Sequence, residues 1–347
     1  MRIRRAAILV VVASCSVGDI DYTGKACPCP AAWICADGTC ARAGQQSGDA
    51  GAIRVKDLRA AWATPNSIRW EWEIEGDRDA FGSMELAVTS PRADAAGVAT
   101  RTSASSPELG RMYLATRGGS EIPVTATLTE GHDPDTQYRA VLTAYDSAGK
   151  KSVTNEALTT TEVALSRRIV LFSEDRPRGY PLPSTLEIAA GCGAAGTNGC
   201  IRYHTADDPE RSCTTFGCTQ NLRWQSIDAT TTEIDEGLFR SRAYFELYVR
   251  STGTTVSYYS LLWLFTNPPP GGCAPPESEG CRFRLVPWTF RPSDTYRRIQ
   301  VPLRVLENSA GALLSHADLA RGLSGFNVGA AWGANDVVEL DELAIWY

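Results

Sequence analysis

The chain has 347 residues, of which 43% are hydrophobic and 21% are charged. This is the composition of a globular protein, with enough length for two ordinary domains. The formal net charge is −6, so the basic surface that phosphate contacts require is absent and no nucleic-acid partner is expected. Eleven cysteines, ten of which can pair once one is set aside, are typical of an oxidising compartment.

The first fifteen residues have the pattern of a secretory signal. Residues 1–5 include three arginines, and residues 6–13 form an apolar segment far shorter than the roughly 20 residues of a spanning helix. Residues 12–15, Val-Ala-Ser-Cys, resemble the lipobox of bacterial lipoproteins, which implies removal of the signal and diacylglycerol on Cys15. Ser16 after that cysteine implies, by the same resemblance, lipid anchoring in the outer membrane. The alternative is an ordinary signal peptide cut nearby.

The ten remaining cysteines form two groups, which differ in position and spacing. The first group, expected to pair among themselves, consists of Cys27, Cys29, Cys35 and Cys40. Prolines and a glycine crowd this group, and the Cys-x-x-Cys pairs of zinc sites are missing, so disulfides are favoured over zinc. The second group has separations of 8, 5 and 8 positions, which predicts local disulfides of Cys192 with Cys200, Cys213 with Cys218, and Cys273 with Cys281. Crossed pairing among the first four of these six remains open.

Composition predicts the domain organisation from the start of the chain. A signal peptide (1–14) precedes a tether (15–26), a cysteine-rich knot (27–40) and a flexible linker rich in glycine (41–52). The knot's spacing resembles the short motifs that follow the anchor in deltaproteobacterial lipoproteins. Two folded domains follow.

Residues 53–162 have the pattern of a β-sandwich. Ile68, Trp70 and Trp72 alternate with charged residues, which predicts a strand with one face buried and one in water. About seven such strands separated by turn residues fit a sandwich. Residues 133–144 resemble the sixth strand of the fibronectin type III family, with Tyr138 as the corner tyrosine, although His132 stands where that family usually has leucine. The resemblance implies a spacer or a direct binding role.

Residues 166–347 contain ten candidate strands and one short helical stretch at 315–321, which predicts a second all-β domain, a jelly roll. Three segments, 170–175, 297–303 and 338–343, resemble strands of the galactose-binding-like jelly rolls that include many carbohydrate-binding modules. The resemblance implies that the opening and closing strands lie side by side. It also implies a structural calcium ion on Glu174, Asp175 and Asp341, unless these acids are simply solvated edge charges.

A sugar-binding face is predicted from the strand at 244–250. Flat rings cover the apolar face of a pyranose, and planar polar groups reach its hydroxyls. Alternation separates Phe245, Leu247 and Val249 from a face that carries both kinds of group, and two further strands are expected to extend it. The predicted residues are Tyr244, Glu246, Tyr248, Arg250, Arg282, Arg284 and Arg298. The alternative is that each ring covers the sheet and each arginine pairs with an acid. The apolar run 258–265 is predicted to be a central strand buried on both faces.

Catalysis has little support in the sequence. The three histidines, His132, His204 and His316, lie outside any metal or triad motif, so no catalytic residue or catalytic cofactor is predicted. The pattern as a whole predicts a non-catalytic, lipid-anchored surface protein of the cell envelope whose jelly roll binds a carbohydrate or glycan. Two alternatives are a protein-interaction module of a surface assembly and, less favoured, a cryptic glycan hydrolase.

Overall fold

A computed structural model describes most of the chain beyond residue 52 and short segments before it. The described residues are 25, 33–36, 39–42, 53–93, 99–113, 121–152, 154–173, 176–177, 186–194, 197–207, 212–214, 217–229, 231–252, 257–273, 281–290, 293–332 and 335–347. Two compact units are present, Met1–Ala50 and Gly51–Tyr347. The signal peptide, Cys15, Cys27 and Cys29 lie outside the described residues, so the anchor and the knot stay predictions. Within the described part of the chain, no helix is long and apolar enough to cross a membrane.

The first unit contains one described hairpin. Its strands, β1 (Trp33–Ala36) and β2 (Thr39–Arg42), are antiparallel. Their register sets Cys35 opposite Cys40 along the backbone. The pairing of the two thiols remains a prediction.

The second unit begins with the predicted β-sandwich. Its strands are β3 (Ile53–Ala63), β4 (Ile68–Gly76), β5 (Phe81–Ala93), β6 (Ala99–Leu109), β7 (Arg111–Tyr113), β8 (Glu121–Pro123), β9 (Ala126–Thr129), β10 (Gln137–Asp146) and β11 (Asn155–Thr160). One sheet has the order β3-β4-β9 and the other β11-β10-β5-β6, while β7 and β8 form a separate hairpin. Trp70 and Trp72 are buried between the sheets, as alternation along β4 predicts.

The corner tyrosine is confirmed. The Tyr138 ring is buried in the core of the first sandwich, and its hydroxyl accepts a hydrogen bond from the Asp133 backbone N–H at 2.9 Å. His132 packs against that ring, with the ring centroids 4.4 Å apart. The His132 Nε2 atom lies 2.7 Å from the Thr129 hydroxyl, which also accepts from the Trp70 indole N–H. His132 is therefore buried beside Tyr138, and its ring has a hydrogen-bond partner of its own.

Burial of His132 predicts an acid-dependent stability. The low dielectric lowers the pKa of His132 to about 4 from its ordinary 6.5. As the pH falls, His132 is protonated in the unfolded chain at a higher pH than in the folded chain. The free energy of unfolding therefore decreases as the pH falls from 6.5 to about 4. His132→Leu is expected to remove roughly 3 kcal/mol of this pH dependence, measured by urea unfolding from pH 7 to pH 4. If the free energy of unfolding of the variant depended on pH as strongly as that of the wild type, this prediction would be contradicted.

The second sandwich also follows the prediction closely. Its strands are β12 (Arg168–Ser173), β13 (Arg176–Pro177), β14 (Leu186–Ala190), β15 (Gly199–His204), β16 (Ser212–Thr214), β17 (Gly217–Ala229), β18 (Tyr244–Ser251), β19 (Ser257–Thr266), β20 (Cys281–Phe290), β21 (Arg297–Pro302), β22 (Leu323–Trp332) and β23 (Val337–Trp346). Helix α2 (His316–Leu319), capped by Ser315, is the predicted helical stretch. Helix α1 (Glu236–Ser241), which the sequence analysis missed, starts from an Asp235 cap and is obscured by Gly237.

The strands of this second sandwich form two sheets. A seven-stranded sheet has the order β13-β12-β23-β15-β14, with β18 pairing both β23 and β21. A five-stranded sheet has the order β16-β17-β22-β19-β20. The predicted adjacency of the opening and closing strands is confirmed, because Ile169 lies opposite Ile345 in the β12–β23 ladder. The described chain is thus an all-β protein, with two sandwiches in its second unit.

Two of the predicted local disulfides are present, Cys192–Cys200 and Cys273–Cys281. Cys213 lies opposite Cys218 in the β16–β17 ladder, but their side chains are outside the description. The pairing of these last two cysteines stays a prediction.

The two sandwiches share a buried interface. Trp62, Arg69 and Leu128 lie opposite one another on the outward face of the β3-β4-β9 sheet. Trp62 and Leu128 belong to the same buried cluster as the core of the second sandwich, and β9 packs against β20. The charged residues that alternate with Ile68, Trp70 and Trp72 are predicted to face water, and for Arg69 this is wrong, since the second sandwich covers this face and leaves Arg69 only 7% exposed.

Polar contacts complete this interface. The edge strand β21 donates its Gln300 backbone N–H to the Ser67 hydroxyl at 3.0 Å, and the Gln300 side chain accepts from the Asn66 N–H at 2.8 Å. Arg297 pairs with Glu130 of the first sandwich. The preceding domain thus covers part of the β21 edge of the seven-stranded sheet.

Candidate functional site

The alternation predicted for β18 is confirmed. Phe245, Leu247 and Val249 are buried in the core between the two sheets. Tyr244, Glu246, Tyr248 and Arg250 therefore share the outward face of the seven-stranded sheet. Arg298, on the neighbouring β21, reaches this same face, because its guanidinium lies 2.8 Å from the Glu246 carboxylate.

The polar groups of this face are engaged with one another. Glu246 is 2% exposed and accepts hydrogen bonds from Arg298 Nε at 2.8 Å, Gln300 Nε2 at 2.5 Å and Trp346 Nε1 at 3.0 Å. Tyr244 is also buried and stacks on Trp346, and burial raises its pKa. Few atoms in this part of the face are left for a ligand.

A second ion-pair group occupies the other end of the same face. The buried Glu339 carboxylate pairs with both Arg250 and Arg202. The Arg250 guanidinium also lies 4.7 Å from the centroid of the Tyr296 ring. A sugar would have to displace these internal partners, and exposing the Glu339 charge without them is costly. Sugar binding by the residues of β18 and β21 stays a prediction, and the geometry does not favour it.

The placement predicted for Arg282 and Arg284 needs correction. Both residues lie on β20, which belongs to the five-stranded sheet on the opposite side of the sandwich from β18. Alternation along β20 correctly separates them from the core residues Phe283 and Leu285. It carries no information on which sheet the strand joins, so the two arginines do not extend the predicted face.

The outward face of the five-stranded sheet presents a second candidate site. Asn327, Trp263 and Arg284 lie directly opposite one another on β22, β19 and β20, so they form one row across the sheet. Side chains directly opposite in antiparallel strands have Cβ atoms about 4.5–5.5 Å apart. Gly325 and Gly329 flank Asn327 on β22 and point no side chain outward. Asn327 is 7% exposed and both glycines are buried, whereas Trp263 and Arg284 keep part of their surface accessible.

Arg282 and Phe265 form the next row of this face. They lie opposite each other on β20 and β19. The Arg282 guanidinium lies 5.5 Å from the Trp263 ring centroid and 5.7 Å from that of Phe265. Phe265 is buried, whereas Trp263 keeps part of its surface accessible. Arg282 thus makes a cation–π contact with the Trp263 ring.

Two hydrogen-bond donors in the first row are buried and have no acceptor. They are Trp263 Nε1 and Arg284 Nε. Buried donors are usually satisfied, because an unmade hydrogen bond costs roughly 1–3 kcal/mol. We define Trp263, Phe265, Arg282, Arg284 and Asn327 as the β19–β20 face. Strand β7 of the first sandwich approaches β19, so this face lies near the junction of the two sandwiches, where ligand sites are frequent.

The sequence analysis missed Trp263 and Asn327 as site residues. The run 258–265 was expected to be buried on both faces, and its central position is confirmed by pairing with both β20 and β22. Burial on both faces is wrong at Trp263, which remains partly accessible. The available signal was that Leu262 and Leu264 alternate with two aromatic residues. A continuous apolar run hides such alternation.

The predicted calcium ligands are described only in part. Glu174 and Asp175 lie outside the described residues. Asp341 is fully buried, and its Oδ2 atom accepts from the Ala194 N–H at 2.7 Å and the Thr197 hydroxyl at 2.5 Å. Burial raises the pKa of Asp341. Its Oδ1 atom has no donor, which suits a cation, but calcium needs six to eight oxygens. The calcium site therefore stays a prediction.

The histidines have structural surroundings in the described chain. His204 lies 3.4 Å from Glu187, and His316 Nε2 lies 2.7 Å from the Ile234 carbonyl. His132 is buried in the first sandwich. The three are thus spread over both sandwiches and do not form one cluster.

Comparisons with known proteins give no family. No family model matches the chain, and no curated protein matches it. The chain is similar to a family 30 carbohydrate-binding module, at 9% identity and a TM-score of 0.33, over 52% of this chain and 87% of that one. It is also similar to the fn3 domain of human collagen alpha-1(XX) chain, at 20% identity and a TM-score of 0.24, over 36% of this chain and 97% of that one.

A third similarity is to a chitinase from Bacillus thuringiensis, at 11% identity and a TM-score of 0.20, over 81% of this chain and 26% of that one. All three TM-scores lie below 0.5. The description of the two sandwiches therefore rests on the strands and ladders of this chain alone.

Proposed function

We propose that the second sandwich binds a carbohydrate through the β19–β20 face. The observation that carries this proposal is the partly accessible Trp263 ring, with the Arg282 guanidinium 5.5 Å from its centroid and the half-buried Arg284 directly opposite it in the ladder. The opposite sheet offers aromatic rings too, but its buried Glu246 and Glu339 already bind the nearby arginines.

The physical basis is the match between this face and a sugar ring. A pyranose has an apolar face that packs on an aromatic ring and hydroxyl oxygens that accept hydrogen bonds. Trp263 supplies the ring, and the half-buried guanidinium of Arg284 lies in the same row. The arrangement recognises a ligand without supplying a nucleophile or a general acid.

Trp263→Ala is expected to weaken glycan binding by at least about tenfold, because a tenfold change needs only about 1.4 kcal/mol and a central tryptophan contributes more. The measurement is a glycan array with the purified full chain, followed by calorimetric titration of the glycans that bind. Tyr248→Ala, which removes a half-buried ring from the opposite sheet, is the matched control and should bind as the wild type does. The proposal would be contradicted if the wild type bound no glycan. It would also be contradicted if Trp263→Ala and Tyr248→Ala lost the same amount of glycan affinity.

The setting that we propose for this binding is the cell envelope. Cys15 would carry the lipid anchor in the outer membrane, and mass spectrometry of the mature protein tests for its acyl chains. The proposal includes no catalytic role, and turnover of a bound glycan would contradict that part. A structural calcium ion at Asp341 is also part of the proposal, and an unchanged melting temperature after chelation would contradict it.

A further inference from the structure

The charge of Arg284 suggests which kind of sugar binds. On the seven-stranded sheet, the arginines meet buried carboxylates of the same chain; the pairs are Arg168–Glu342, Arg202–Glu339, Arg250–Glu339 and Arg298–Glu246. Arg284 differs, since it is half-buried and has no ion-pair partner among the residues that the structure describes. A partly desolvated charge without a partner is unfavourable, so Arg284 is suited to receive an anion.

The neighbour of Arg284 is a ring on which a sugar can pack. Trp263 lies directly opposite Arg284 in the β19–β20 ladder, and its ring is partly accessible. A guanidinium can donate two parallel hydrogen bonds to the two oxygens of a carboxylate, and such bonds are among the strongest in proteins. A neutral hydroxyl would accept from one donor and leave the guanidinium charge uncompensated.

The net charge of the chain is negative, so the attraction of Arg284 for an anion acts only close to the site. At −6, the protein as a whole repels polyanions, so nonspecific binding to any acidic polymer is not favoured. Recognition then depends on the local geometry of Trp263 and Arg284. It requires a carboxylate attached to a ring that packs against the tryptophan, as in a uronic acid.

We infer that the Trp263–Arg284 pair binds a uronic acid residue, whose carboxylate Arg284 receives, so that the ligand is an acidic polysaccharide. This inference rests on the proposed function, because it assigns the sugar class to the same β19–β20 face. Trp263 packs against the sugar ring, and Arg284 receives the carboxylate.

The test compares each acidic sugar with its own neutral form. Oligogalacturonate, oligomannuronate and chondroitin oligosaccharides are titrated into the full chain beside their carboxyl methyl esters, with a sulfated but carboxylate-free oligosaccharide as a further arm. At least one acid is expected to bind about tenfold or more tightly than its ester. Arg284→Gln should reduce the affinity for that acid far more than the affinity for its ester, so that the preference for the acid is lost, while Arg284→Lys should restore part of the preference.

Arg240→Gln is the matched control, because it makes the same charge change at an exposed position on helix α1 and should bind as the wild type does. Equal affinities for acid and ester, equal loss of both in Arg284→Gln, or binding of the sulfated sugar alone would overturn the inference. If neutral glycans bind on the array but no acid binds better than its ester, the proposed function stands and the inference fails. If no glycan of either kind binds, both fail.

Discussion

Glu246→Ala is expected to lower the free energy of unfolding by about 3–5 kcal/mol, the usual loss when one partner of a buried ion pair is removed. The change leaves Arg298, Gln300 and Trp346 without the acceptor that they share. Urea unfolding followed by tryptophan fluorescence measures the loss. Glu246→Gln keeps the shape and one oxygen, so it should fold and lose less stability than the alanine variant.

The matched control for Glu246 is an exposed ion pair. Glu75 pairs with Lys56 on the surface of the first sandwich, and Glu75→Ala should leave the unfolding midpoint unchanged within error, since water screens exposed pairs. A Glu246→Ala variant as stable as the wild type would mean that this face is not held by the buried network. The β18 face would then be open to a ligand, as the sequence analysis predicted.

Trp62→Ala is expected to cost about 3–5 kcal/mol, the range for removal of a buried tryptophan. Trp62 belongs to the first sandwich by sequence but lies in the core cluster of the second. The two sandwiches should therefore unfold in one transition in the wild type. In the variant, calorimetry should show a lower melting temperature and a weaker coupling between the two sandwiches.

Leu158→Ala provides the comparison for Trp62. Leu158 is 64% exposed on β11, so its truncation should change the stability little. Two independent transitions in the wild type, with the one for the second sandwich unaffected by Trp62→Ala, would contradict a shared core. The first sandwich would then be the simple spacer that its resemblance to fibronectin type III implies.

The parts of the fold that depend on local pattern were predictable from the sequence. Alternation along β18 correctly separated Phe245, Leu247 and Val249 from the outward residues. The corner role of Tyr138 followed from a short motif, and two local disulfides followed from cysteine spacing. Each of these depends on residues close together in the chain.

The parts that failed depend on contacts between distant segments. Arg284 and Arg298 have the same alternating pattern, yet they lie on different sheets because β20 pairs with β19 and β21 pairs with β18. Alternation along β4 predicts that Arg69 is exposed to solvent, but the second sandwich covers it. Strand order and domain contacts are set by the whole chain, so local periodicity does not reveal them.

The same limit explains the change of candidate site. The predicted face contained the residue types that bind sugars, but the sequence could not show that Glu339, nearly 90 positions away from Arg250, would pair with it. The β19–β20 face lacked such a signal, because its tryptophan lies within an apolar run. Its two unsatisfied donors become apparent only from the assembled sheet.

The most direct test of the central claim observes both faces at once. The chain has nine tryptophans, and selective ¹⁵N labelling gives each indole N–H a separate NMR signal, assigned by tryptophan-to-phenylalanine variants. Trp263 reports on the β19–β20 face, and Trp346, which donates to Glu246, reports on the opposite face. Titration with a bound oligosaccharide is expected to shift the Trp263 signal and leave that of Trp346 in place. A shift of Trp346 with Trp263 unchanged would contradict the account.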